Sequence, residues 1–139
     1  MPIDYRVDHE HRLVLAEGRG DVTAEDIFTY QREAWGRPEV RGYDEIVDMS
    51  AVGRIVEPTR EGIRAIAELA SSMDPPGGGG KFAIVAPQDV AFGLGRMYEA
   101  YRDLVGGEPK RVAVFRELAL AMQWIADPAA ELPTPKPGR

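Results

Sequence analysis

The architecture follows from Phe82-Ala83-Ile84-Val85-Ala86-Pro87-Gln88-Asp89. A strand with one wet face alternates apolar and polar residues. Five apolar residues in a row, closed by a proline, read instead as a strand buried on both faces. Just downstream, Val90, Leu94, Met97, Tyr101 and Leu104 recur at spacings of three and four, the stripe of an amphipathic helix. Asp89 stands where its N-cap belongs, and Gly106 and Gly107 end it.

Working outward, Val112 to Phe115 reads as a last strand, and Leu118, Ala121, Met122 and Ile125 mark a final helix. Upstream, Pro58 suits a first helical position, and Ile63, Ile66, Ala67 and Ala70 make residues 58–72 a helix. Residues 45–48 form a short strand centred on Ile46 and Val47. Thr23 and Asp26 have the spacing of a capping box before Ile27, Phe28, Gln31 and Trp35; Gly36 and Pro38 close that helix. Ile3, Tyr5 and Val7 alternate with polar residues, and residues 13–17 complete a β-hairpin that Gly18 and Gly20 end. The order ββαβαβαβα predicts an α/β fold: a mixed, mostly parallel five-stranded sheet with four helices and an antiparallel hairpin edge. Residues 1–127 form the domain. Residues 128–139 hold four prolines and no apolar stripe, and read as a disordered tail.

The 139 residues suit one core, and the absence of cysteine removes disulfides, thiolate metal sites and cysteine nucleophiles. The net charge of −6, with no basic run, disfavours nucleic acid. No apolar run approaches the roughly 20 residues of a membrane span, and the charged start MPIDYRVDHEHR is unlike a signal peptide. A cytoplasmic location is expected.

Several stretches together resemble the STAS domain superfamily, and most closely the small stand-alone SpoIIAA-like (STAS/Sec14-like) proteins. These are residues 18–26 leading into the first helix, residues 46–52, residues 82–87 with 91–98, and residues 114–116 with 121–125. The resemblance implies a non-enzymatic regulatory domain that binds a protein partner or itself. Its Sec14-like side implies, as the alternative, a carrier or sensor of a small apolar or lipid-like ligand. In the family's antagonists, a strand end leads to an Asp-Ser-Ser-Gly turn whose serine is phosphorylated by a partner kinase. Asp48-Met49 matches the strand end, but the turn reads Val56-Glu57-Pro58-Thr59. A domain without a phosphorylation switch is therefore expected, with Thr59 one residue beyond the switch position.

No catalytic constellation stands out. Gly77-Gly78-Gly79-Gly80-Lys81 lacks the first glycine and the Ser or Thr of a phosphate loop, and precedes a strand. His9-Glu10-His11 sits in a turn with no further histidine to complete a metal site or a triad. Arg54, Arg60 and Arg64 interleave with glutamates, as on a solvated face. No cofactor is implied. Two candidate sites remain. One is a ligand pocket beside the third helix, where Gly93 and Gly95 leave room among Phe92, Met97, Tyr98 and Tyr101. The other is an interaction loop of Ser50, Arg54, Ile55, Val56, Glu57 and Thr59. Its apolar pair, Ile55-Val56, motivates a homodimer.

Overall fold

Alternation builds the first edge of the sheet. In the computed structural model, which describes residues 2–75, 79–105 and 110–128, β1 (Ile3–Asp8) pairs antiparallel with β2 (Leu13–Val22). The chain continues through α1 (Ala24–Trp35), β3 (Asp44–Ile55), α2 (Arg60–Ser72), β4 (Lys81–Val85), α3 (Asp89–Val105), β5 (Arg111–Phe115) and α4 (Leu118–Ala126). The strands lie in the order β1-β2-β3-β4-β5, and every pair after the first is parallel. This is the mixed, mostly parallel five-stranded sheet with four helices that the sequence order implies.

The period of two along each strand divides the core between the faces. Phe82, Ile84, Val112, Val47 and Met49 pack with Ile63, Ile66 and Tyr98 from α2 and α3, and α1 adds Ile27 and Phe28. Leu13, Ile46, Ala83, Val85 and Ala113 point the other way, onto Ala121 and Trp124 of α4. Helices α1 to α3 thus share one face, and α4 covers the other. Thr23 caps α1 as read: its hydroxyl accepts from Asp26 N–H (3.1 Å), and the Asp26 carboxylate accepts from Thr23 N–H (2.9 Å).

Of the boundaries that differ from the sequence reading, four matter here. First, β2 does not stop at Gly18 but runs to Val22. Register shifts at residues 17–19 and 20–21 let it stay paired with β3, and Gly20 takes a positive φ of 62°. Second, β3 reaches Ile55, because that extended β2 gives residues 51–55 a partner. Third, α2 starts at Arg60 with Thr59 as N-cap, so Pro58 precedes the helix. Fourth, Asp89 lies inside α3, and its carboxylate pairs with Arg116 (2.7 Å).

The helical stripes also rotate. Val90 and Leu104 are 70% and 79% exposed, so the inward face of α3 is carried by Gly95, Tyr98 and Arg102. On α4, Leu118 and Met122 are exposed; Ala121 and Trp124 are buried. Lys81 helps set that orientation. It is buried at the start of β4 and donates from Nζ to the carbonyls of Trp124 (2.7 Å) and Asp127 (2.5 Å), at the negative end of the helix.

The two α3 glycines have different reasons to exist. A Cβ on Gly95 would meet Val114 Cγ1 at 3.1 Å, so this glycine lets the helix approach the sheet closely. A Cβ on Gly93 would meet nothing within 4 Å, and Gly93 is exposed. Gly93→Ala should therefore stabilise the domain by about 0.5–1 kcal/mol through helix propensity alone, seen as a higher urea midpoint at unchanged slope.

Candidate functional site

The side chains of β3 and β4 that face the helices do not fill the space beneath them. A cavity of about 130 Å³ remains between the sheet and helices α1 to α3. Most of its wall is aliphatic: Ile27, Val47, Met49, Ile63, Ile66 and Ile84 are among the lining residues. The rest is polar and was not foreseen from the sequence. Tyr30, Gln31 and Trp35 of α1, Glu45 at the start of β3 and Asp74 after α2 line it, as do Tyr98 and Arg102 of α3 and Lys110 before β5.

These polar groups form two buried clusters. Glu45 Oε2 accepts from the Tyr30 hydroxyl (2.6 Å) and from Trp35 Nε1 (3.0 Å). Lys110 Nζ lies 4.0 Å from Glu45 Oε1 and 3.3 Å from the centre of the Trp35 ring. In the second cluster, Arg102, only 1% exposed, donates from Nη2 to both carboxylate oxygens of Asp74 at 3.0 and 2.8 Å. Burial holds the Lys110 amine below the usual lysine range and pushes the Tyr30 hydroxyl well above the usual tyrosine range; the Glu45 carboxylate adds to the Tyr30 effect. Burial likewise raises Tyr98.

A consequence can be measured. Tyr30 and Tyr98 should stay protonated while the fold persists, so absorbance titration of the folded protein should count fewer than its five tyrosines. A folded pKa above the unfolded value keeps protons on the native state. Stability is therefore lost as pH rises beyond the ordinary tyrosine value of about 10. Tyr98→Phe should leave the amplitude before unfolding unchanged.

Two buried polar atoms in this wall have no hydrogen-bond partner among the described residues: Gln31 Oε1 and Arg102 Nε. The Gln31 amide is fixed the right way round, since its nitrogen donates to the Ile66 carbonyl at 3.1 Å.

Of the pocket residues read from the sequence, Gly95 and Tyr98 line the cavity. Phe92 packs against the core and lies under Arg116 (4.1 Å to its ring centre), and Tyr101 also packs against the core. Gly93 is exposed and Met97 half-buried, and neither is in the wall. The interaction loop is largely strand. Ser50, Arg54 and Ile55 belong to β3, with Ser50 bonded to Asp48 (2.5 Å) and Arg54 to Asp21 (2.9 Å). Ile55 is half-buried and lines the cavity, and Val56 is half-buried, so the pair is not an exposed apolar loop. Glu57 turns the chain with a positive φ of 47°. Thr59 accepts from Gly62 N–H (3.0 Å) as the α2 cap, so its hydroxyl stands at the helix start and not one residue off it.

The remaining motifs stand apart from the cavity. His9 Nδ1 and the Tyr43 hydroxyl are hydrogen bonded at 2.8 Å, while His11 pairs with Asp8 at 2.7 Å. The glycine run and the tail read over residues 128–139 fall partly outside the described residues. Among the described residues, no helix is long and apolar enough to cross a membrane.

A sheet with one antiparallel edge, three helices on one face and a fourth on the other is a SpoIIAA-like fold. The chain is similar in structure to an uncharacterised protein of the DUF3478 family from Shewanella loihica PV-4, itself described as having a SpoIIAA-like fold. The match has a TM-score of 0.58 at 11% identity and covers 89% of this chain and 94% of that one. No protein-family model and no curated protein sequence matches the chain.

Proposed function

We propose that this chain is a non-enzymatic SpoIIAA-like domain that binds a small, largely apolar molecule between its sheet and helices α1 to α3. The cavity of about 130 Å³ carries the reading. Packed interiors hold few voids larger than a water molecule, and an aliphatic cavity of similar size can hold a one-ring molecule. The ionisable groups in the wall support binding over catalysis. The Glu45 and Asp74 carboxylates are tied to buried donors, and neither histidine lines the site. The absence of cysteine suits work in a reducing compartment such as the cytoplasm.

A second copy of the chain is the partner this reading favours, through the outer face of α4. Leu118 and Met122, one turn apart, are 38% and 49% exposed there, on a helix that packs against the opposite side of the sheet from α1 to α3. Native mass spectrometry of freshly purified protein tests both statements. We expect a dimer carrying a small adduct that Ala70→Leu, a cavity-wall replacement, displaces. An adduct-free protein whose mass is unchanged by incubation with small apolar molecules would count against the ligand; monomer alone at micromolar concentration would count against the dimer. Ligand occupancy sets the state of the domain in this reading, without phosphorylation. Stoichiometric phosphate on Thr59 in protein from its own cells would argue for a kinase switch instead.

A further inference from the structure

The wall of the cavity is polarised, and its polarity identifies the ligand's head. Glu45 is the second residue of β3, Lys110 immediately precedes β5, and Asp74 follows α2. Tyr98 and Arg102 lie in the second half of α3. In parallel strands joined by return helices, these positions share the edge at which the strands begin. Ile27, Ile55 and Ile63 lie towards the opposite edge and are aliphatic. The ligand therefore has a direction, with its apolar part towards the strand ends.

Two features fix the head's chemistry. The wall holds two carboxylates, Glu45 and Asp74, and two cationic side chains, Arg102 and Lys110. Their formal charges cancel, so a charged head would leave one charge uncompensated away from water, which is strongly unfavourable. The two unsatisfied atoms, Gln31 Oε1 and Arg102 Nε, are one acceptor and one donor. Both residues are more than nine-tenths buried and both line the cavity. Resting on the ligand-binding reading above, we infer that the ligand is an uncharged amphiphile about the size of a six-carbon chain or a single ring. Its head carries both a hydrogen-bond donor, for Gln31, and an acceptor, for Arg102: a primary amide or a hydroxyl.

Four six-carbon probes separate the possibilities: hexane, hexanamide, hexanoate and hexylammonium. Each is titrated into the full chain while the isoleucine methyl resonances of the wall are followed by NMR. We expect hexanamide to bind at least as tightly as hexane, because an amide buried without partners would bind at least about 30-fold more weakly. Both charged probes should bind at least tenfold more weakly than hexanamide. Gln31→Met should weaken hexanamide roughly tenfold and leave hexane within twofold. The ranking on the unmodified protein stands if the variant does not fold. Hexane binding more tightly than hexanamide, or a charged probe binding best, overturns the head assignment and leaves the cavity reading intact. Binding of none of the four overturns both.

Discussion

Asp74→Ala is expected to lower the unfolding free energy by about 3–5 kcal/mol, because it strands a buried cation. Arg102 is almost wholly enclosed, and its Nη2 donates to both carboxylate oxygens of Asp74. The same carboxylate also accepts from Lys110 N–H at 3.4 Å, so the start of β5 loses a tie as well. Domains of this size have about 5–15 kcal/mol of stability in all, so the loss should be plain in the urea midpoint. The charge is the cause, and a second variant isolates it. Asp74→Leu combined with Arg102→Met removes both charges and should recover at least half of the loss. A single-variant loss below about 1 kcal/mol would mean the guanidinium reaches water, and the pair would then be an ordinary surface ion pair.

Glu45→Leu should cost a similar amount, about 3–5 kcal/mol, since it leaves several buried donors without their acceptor. The Tyr30 hydroxyl, Trp35 Nε1 and Lys110 Nζ all converge on this carboxylate. The effect should depend on pH, with a definite sign. Burial already lowers the Lys110 pKa, and Glu45 is the largest influence raising it. Without Glu45, the folded-state value falls further below the unfolded one. The unfolded chain then binds more protons across that interval, so stability rises with pH there. The cost of Glu45→Leu should accordingly shrink as pH increases towards the ordinary lysine value of about 10.4. Urea midpoints of both proteins across that range test it. A cost that grows with pH would place the charge balance elsewhere.

The frame of the fold was legible because local chemistry dictates it. The Thr23–Asp26 capping box, the alternation of Ile3, Tyr5 and Val7, and the unbroken apolar run of β4 each report local geometry. Strand lengths were not legible. The ends of β2 and β3 support each other through long-range pairing and a pair of register shifts, which no local pattern announces.

The cavity was half legible. Glycines in α3 drew attention to a helix that contributes to the cavity wall, but apolar periodicity selected the face led by Val90 and Leu104. The true inward face includes Arg102, a charge that hydropathy assigns to water and that Asp74 holds inside. One signal was available. Glu45 lies two residues before Val47 and four before Met49, so a strand through all three turns a carboxylate towards the core. A charge on an inward position implies buried partners, here Tyr30, Trp35 and Lys110.

The space between the sheet and helices α1 to α3 should accept a guest. Xenon tests it without assuming any head group, since it enters apolar cavities of this size. Isoleucine methyl spectra recorded under xenon pressure should show saturable shifts at Ile27, Ile63, Ile66 and Ile84, all of which line the cavity. Shifts confined to the exposed side chains of α4, or none at all, would contradict the account.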